Sequence, residues 1–270
     1  NTKEHIKNFS ALGEKLKHMA ELSNAESFIQ ASYQNPWFTH QFIKESLLGL
    51  SFMLKEEKLT QWLFKYKFET NQKTIGIVLA GNIPLVGFHD ILCVLVSGNK
   101  AKIKLSSKDQ TLYKQVFAEL FTIEPIYETQ IEWVSETLKE IDAIIATGSD
   151  NTARYFDYYF AKYPNIIRKN RNSIAILDGT ESEEELKSLS HDIFMYFGLG
   201  CRNVSQIFIP ETYDITNLID AFQGYENFNQ HNKYYNNYEY QKTIHLLNNI
   251  PHYDNGFIII KNDNALSSPI

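Results

Sequence analysis

Residues 74–87 read TIGIVLAGNIPLVG. Seven residues rich in β-branched and apolar side chains are followed at once by Gly81-Asn82-Ile83-Pro84. A short apolar run bounded by turn residues predicts a buried strand, and the Gly-Asn-x-Pro after it predicts a turn into a helix. Downstream the texture repeats: an apolar helix over 85–97, a Gly98-Asn99 turn, a strand over 100–105 and an amphipathic helix to about residue 121. Strands are expected over 131–134 and 141–146, then Thr147-Gly148-Ser149 and a helix to residue 163. Strands alternating with helices of this length predict an α/β fold, a parallel sheet flanked by helices on both faces.

Upstream, the first 60 residues read as a helical layer. Phe9, Leu12, Leu16 and Met19 share one helical face, and further helices are expected over 23–34 and 39–54, either side of the Asn35-Pro36 break. Beyond residue 170 a second α/β texture begins: a strand over 173–177, a helix over 181–197 with an acidic first turn, and Gly198-Leu199-Gly200-Cys201 leading to a strand over 205–210. Helices over 215–223 and 229–248 and a strand over 256–261 follow. The Asn/Tyr-rich stretch inside the second helix is aromatic enough to pack, and 222–240 reads as core in preference to an acyl-lining surface.

Composition narrows the function classes. The 270 residues are 43% hydrophobic and 21% charged with a net charge of −6, which suits an ordinary globular protein and argues against phosphate-neutralising nucleic-acid binding. The longest apolar run, 91–96, is far short of the roughly 20 residues of a membrane helix, and the polar start 1–17 is unlike a signal peptide. Two cysteines, Cys93 and Cys201, rule out a disulfide framework and fit a reducing cytoplasm. The eight histidines are scattered without metal-ligand spacing, so no metal site is expected.

Three strand-to-helix turns are candidate chemistry. Gly81-Asn82-Ile83-Pro84 is either a helix start capped by Asn82 or a ligand-facing turn. Thr147-Gly148-Ser149 is either a Ser149 cap or an anion site at a helix N-terminus. Neither carries G-x-G-x-x-G or G-x-x-x-x-G-K-[ST]. At the third, two glycines precede Cys201, whose neighbours Arg202 and Asn203 are polar; a nucleophile and a small structural thiol are both open readings. Cys93, inside the apolar run ILCVLV, reads as packing. Lys100, Lys102 and Lys104 alternate onto one strand face, with Lys104 at the end where such sheets bind ligands.

The segments GIVLAGNIPLVG (76–87), GNKAKIKLSS (98–107), IIATGSD (144–150), NSIAIL (172–177) and FGLGCRNVSQIFIP (197–210), in this order, resemble the aldehyde dehydrogenase superfamily. In particular they resemble its acyl-CoA reductase branch, that of the long-chain acyl-CoA reductase of bacterial bioluminescence. The resemblance implies an aldehyde dehydrogenase-like fold with a helical N-terminal segment (1–65), a dinucleotide-binding domain (66–178) and a catalytic domain (179–270) that is expected to be incomplete at its C-terminus. By the same resemblance Cys201 is the catalytic cysteine and Asn82 the oxyanion-hole amide. Lys104 contacts the cofactor ribose, and Gly148 and Ser149 lie near its pyrophosphate.

Two departures qualify what it implies. Where hydrolytic relatives carry a Glu that activates water, this chain has Arg168, which weakens an aldehyde-to-acid reading. Three residues beyond Lys104, where NAD-preferring relatives often carry Glu, stands Ser107; with Lys104 and Lys108 nearby this favours the 2′-phosphate of NADPH. The implied activity is NADPH-dependent reduction of a fatty acyl-CoA to an aldehyde through an acyl-cysteine. The alternatives are a Cys-dependent acyl transferase or carrier, or a superfamily reductase acting on an acyl phosphate or aldehyde. An acyl-transferring partner protein and a homo-oligomer are also expected. His191 and His231 read as surface or structural residues.

Overall fold

In the computed structural model of this chain, which describes residues 1–22, 26–68, 71–169 and 171–265, the apolar run at 74–80 forms β1 (Thr74–Val78) at the centre of a five-stranded sheet. Its neighbours are β2 (Lys100–Lys104) and β4 (Ala143–Thr147), and the outer strands are β3 (Ile131–Trp133) and β5 (Asn165–Arg168). Every pairing is parallel, in the order β3-β2-β1-β4-β5. The chain steps outward from β1 on one side and then on the other. Such a reversal of strand order marks the place, at the carboxyl ends of β1 and β4, where α/β sheets take ligands.

The crossovers are α5 (Phe88–Val96), α6 (Thr111–Ile123) with the short α7 (Ile126–Gln130), and α8 (Asp150–Tyr159). The helix expected from residue 85 begins at Phe88, because Leu85 has φ 56° and Gly87 takes the N-cap position. Asn82 is therefore not the cap, and 79–87 is a true loop. Strand β5 was not expected; its four residues, NIIR, carry only two apolar side chains, and Ile166 is exposed.

Four helices form the N-terminal layer: α1 (Thr2–Glu21), α2 (Glu26–Gln34), α3 (His40–Met53) and α4 (Glu56–Leu63). The expected start of α2 at residue 23 lies outside the described residues. Asn1 accepts from the Lys3 amide and caps α1, whose stripe Ile6, Phe9, Leu12, Leu16 and Ala20 is buried against α3 and α6. Phe9 and Leu16 belong to the same apolar cluster as Ile77 of β1, Ile103 of β2 and Phe117 of α6. Full burial of each such side chain is worth about 2–3 kcal/mol, so the helical layer is a wall of the sheet's own core.

The chain divides into two compact units, Asn1–Asn170 and Arg171–Ile270. In the second, β6 (Ser173–Ile176) and β7 (Val204–Phe208) pair in parallel through α9 (Glu183–Phe194), which Ser182 and Glu185 open with a capping box. Then come α10 (Ile215–Phe222), a 3-10 segment (Gln223–Gln230), α11 (Asn232–Leu247) and an antiparallel pair, β8 (Tyr253–Asp254) and β9 (Ile259–Ile260). The strand expected over 256–261 shrinks to two residues. The aromatic stretch packs as read: the Phe194 ring meets Phe222, Tyr225, Phe228 and Phe257 at centroid distances of 4.7–5.9 Å. Among the described residues no helix is long and apolar enough to cross a membrane.

Candidate active site

Loop 79–87, carrying Asn82, is held by buried polar side chains from sequence-distant elements. Asn35, just past α2, donates from Nδ2 to the Gly81 carbonyl at 3.0 Å, and Ser46 of α3 donates to the Pro84 carbonyl at 2.7 Å. Asp109, in the turn before α6, accepts from the Leu85 amide at 2.7 Å, and the Tyr113 hydroxyl of α6 accepts from the Gly87 amide at 2.8 Å. These bonds satisfy backbone groups that the loop would otherwise bury unpaired. Gly81 is required by close approach, since a Cβ there would stand 2.4 Å from Ser106 Oγ. The same approach, with the bond from Leu79 N to the Lys104 carbonyl at 3.1 Å, brings the Asn82 loop against the turn that follows β2.

That turn holds Lys104, half-buried, and Ser107, exposed. On the strand face of Lys104, Lys102 is already paired with Glu132 at 3.2 Å. At the end of β4, Ser149 caps α8 by accepting from the Thr152 amide at 3.3 Å. The Gly148 amide is engaged by the Arg168 carbonyl at 3.1 Å, and a Cβ at 148 would press on Thr152 and Phe156. Gly148 thus lets the turn sit tightly on its own helix. As a donor set, an ammonium, two hydroxyls and the N-terminus of a ten-residue helix suit the phosphates of a dinucleotide, and residue 107 brings no carboxylate to oppose them.

Arg168, at the end of β5, forms an ion pair with buried Asp90 of α5. Residue 168 is therefore a cation whose partner carboxylate is committed to it. Cys93 departs from pure packing. It is only half-buried, its Sγ lies 3.6 Å from His89 Nδ1, and the His89 ring meets Trp62 in a tilted arrangement at 5.5 Å. Burial first, and the Asp90 charge second, push its thiol up to about 11, so it stays protonated and unreactive at neutral pH.

In the second unit, described by itself, Cys201 is exposed on the turn between α9 and β7. The approach to it is strained: Tyr196 (φ 55°), Phe197 (φ 56°) and Gly198 (φ 74°) are consecutively left-handed. Each non-glycine residue in that region costs about 1–2 kcal/mol. Phe197 is buried and packs at 4.6 Å on both Phe228 and the His231 ring, which offsets the strain. Asn203, also buried, locks the other side. Its Oδ1 accepts from the Gly200 amide at 2.7 Å and its Nδ2 donates to the Asp192 carbonyl at 2.8 Å. Its own carbonyl accepts from Ser173 N of β6 at 3.0 Å. In the sequence Asn203 is only a polar neighbour of Cys201; an Asn two residues after a Gly-Cys turn is the signal for such a clamp. His231 accepts from the Tyr234 amide and opens α11, and exposed His191 lies 3.4 Å from the Tyr225 hydroxyl.

The geometry defines a class first. The structure overlays on the glyceraldehyde-3-phosphate dehydrogenase GapN from Methanocaldococcus jannaschii complexed with NADP. The TM-score is 0.63 at 13% identity, over 84% of this chain and 54% of that one. It also overlays on an indole-3-acetaldehyde dehydrogenase complexed with NAD+, with TM-score 0.62 at 13% identity over 83% and 50%. The fold is that of the aldehyde dehydrogenases. Within it, the family model for Acyl-CoA reductase (LuxC) matches residues 7–222, and the chain belongs to that family.

Curated relatives include a long-chain acyl-protein thioester reductase from Photorhabdus laumondii, 23% identical over 48% of this chain. A second, from Photobacterium leiognathi, is 30% identical over 51%. The matches span 30% and 32% of those relatives' own lengths.

Proposed function

We propose that this chain is the cofactor- and cysteine-bearing part of an enzyme that reduces a long-chain acyl thioester to the aldehyde, with Cys201 as nucleophile and NADPH as reductant. The observation that carries the proposal is the Cys201 turn, where an exposed thiol stands on strained backbone clamped by Asn203 and Phe197. Cys201 sulfur, as thiolate, attacks the acyl carbonyl, and the donor thiol leaves as the acyl-cysteine forms. In this reading Asn82 donates from its side-chain amide to the oxyanion of that addition. Lys104, Ser107 and Ser149 would hold the dinucleotide through its ribose and phosphates, and Gly148 would shape the turn near its pyrophosphate. When bound, the dinucleotide would supply a hydride to the acyl carbon, and the C–S bond to Cys201 then breaks, releasing the aldehyde and returning the sulfur as thiolate.

The commitment of Arg168 to Asp90 supports reduction over hydrolysis, since residue 168 is a paired cation and not a carboxylate that could activate water. The relatives' names point to an acyl group delivered on a protein thiol, so the donor is either an acyl-protein or an acyl-CoA thioester. The test uses labelled donors of both kinds. Label transferred to the wild-type chain and absent from Cys201→Ala is the expected result; transfer that survives the substitution overturns the nucleophile assignment. Running both donors decides which thiol delivers the acyl group. For the cofactor, Ser107→Glu is expected to move the preference at least tenfold from NADPH toward NADH.

A further inference from the structure

Asp109 is the most deeply buried carboxylate described, 1% exposed, yet no cation pairs with it among the described residues. One oxygen accepts from Leu85 N; the other, Oδ1, meets no donor among the described residues. Leu85 is left-handed at φ 56°, a conformation a leucine avoids unless something outside it imposes the geometry. The amide that Asp109 takes belongs to this strained residue, three positions past Asn82 in the same loop. A carboxylate acceptor makes a stronger bond to a backbone amide than a neutral acceptor does. Nothing in the fold of the sheet requires an unpaired buried acid, and an amide or hydroxyl acceptor would be cheaper to bury.

We infer that Asp109 is a positioning residue: by holding the Leu85 amide it imposes the left-handed turn and fixes loop 79–87, and with it the backbone that carries Asn82. This rests on the reading of Asn82 as the oxyanion donor. Gly81, pressed on Ser106, and Gly87, bonded to Tyr113, anchor the loop at either end, so Asp109 and Ser46 control its middle. Burial pushes the Asp109 carboxyl up to about 7, so the strength of this hold changes across neutral pH. The ionisable groups facing it are the Tyr113 hydroxyl on α6 and, around Tyr113, the Asp90 carboxylate on α5, which is neutralised by Arg168 of β5. Lys108, its chain neighbour, is exposed.

The experiment measures amide hydrogen exchange of 79–87 and the kinetics of Cys201 acylation from pH 6 to 8.5, in wild type, Asp109→Ala, Asp109→Asn and Asn82→Ala. In Asp109→Ala, protection of the loop is expected to fall at least tenfold and the acylation rate constant about tenfold, with the KM for the donor within twofold. Asp109→Asn keeps an acceptor and is expected to restore both at neutral pH. It should also abolish the wild-type pH dependence of intrinsic-rate-corrected protection between pH 6 and 8. Unchanged protection in Asp109→Ala overturns the inference. So does lost protection with acylation slowed by Asn82→Ala but not by Asp109→Ala. If Asn82→Ala leaves acylation unaltered, the reading of Asn82 fails, and the positioning role falls with it even where the exchange results hold. The exchange readout does not depend on turnover, so the two failures are told apart.

Discussion

Loop 79–87 in the first unit and turn 195–203 in the second each keep left-handed residues beside a candidate reactive group, and they do so by different means. The loop is braced from outside: Asn35, Ser46, Asp109 and Tyr113 reach its backbone from positions 24 to 46 residues away in sequence. The turn is braced mostly from within. Asn203 bonds to Gly200 three residues back and Asp192 eleven residues back, and the strained Phe197 is held by ring packing. Polar bracing by buried groups answers to pH and to single-atom changes, because each bond has one alternative, an unpaired buried group. Aromatic packing spreads the same task over many weak contacts. The candidate nucleophile, which substrate would have to reach, thus sits on the locally built turn, while the loop proposed as oxyanion support is tied into the core.

Four measurements break or sharpen that comparison. The largest effect is expected from Cys201→Ala, with thioester reduction falling about 10³-fold or more and no change in the first unit's stability. Next is Asn203→Ala, which leaves the Gly200 amide and the Asp192 carbonyl without their partner. A loss of about 2–3 kcal/mol in chemical denaturation of the second unit is expected, with slower acylation of Cys201.

Third, Asp109→Asn separates the two kinds of bracing through pH. The folded carboxyl titrates near 7 and the ordinary value is 3.8, so the folded state binds the proton more tightly. The stability that this proton provides is complete below pH 4, declines as pH rises, and is gone above about 7. The uncharged Asn variant escapes that decline. Its stability relative to wild type is expected to rise from pH 4 to 7 by on the order of 3 kcal/mol and then level off. A flat difference across that range would show the carboxyl to be solvated. The smallest effect is expected from Ser46→Ala, about 1 kcal/mol in thermal unfolding, because one neutral bond to the Pro84 carbonyl is lost.

Much of this molecule was legible along the chain. The apolar runs at 74–80 and 141–146 are β-rich, short and followed by turn residues, which is enough to read parallel strands and their crossovers. Cys201 stood out because two glycines and two polar residues surround it, whereas Cys93 lies in an unbroken apolar run. The half-buried contact of Cys93 with His89 was not legible, since it depends on α5 turning that face toward Trp62. Strand β5 was missed because its place at the sheet edge demands little hydrophobicity. Asp109 read as one more polar residue in Ser-Ser-Lys-Asp-Gln; only the packing of the turn against loop 79–87 removes it from water.

The sequence by itself determined the α/β alternation, the helical layer in front of it, the family likeness and the identity of the candidate nucleophile. The first two follow from side-chain periodicity, and the last two from the family resemblance that the motifs carry in their order along the chain. Tertiary structure alone decided the order β3-β2-β1-β4-β5, the pairing of Arg168 with Asp90, and which polar residues hold the Asn82 loop. The physical reason is desolvation. A carboxylate or an amide gains its energetic weight only when folding buries it beside one particular partner, and that partner is chosen by how distant segments pack.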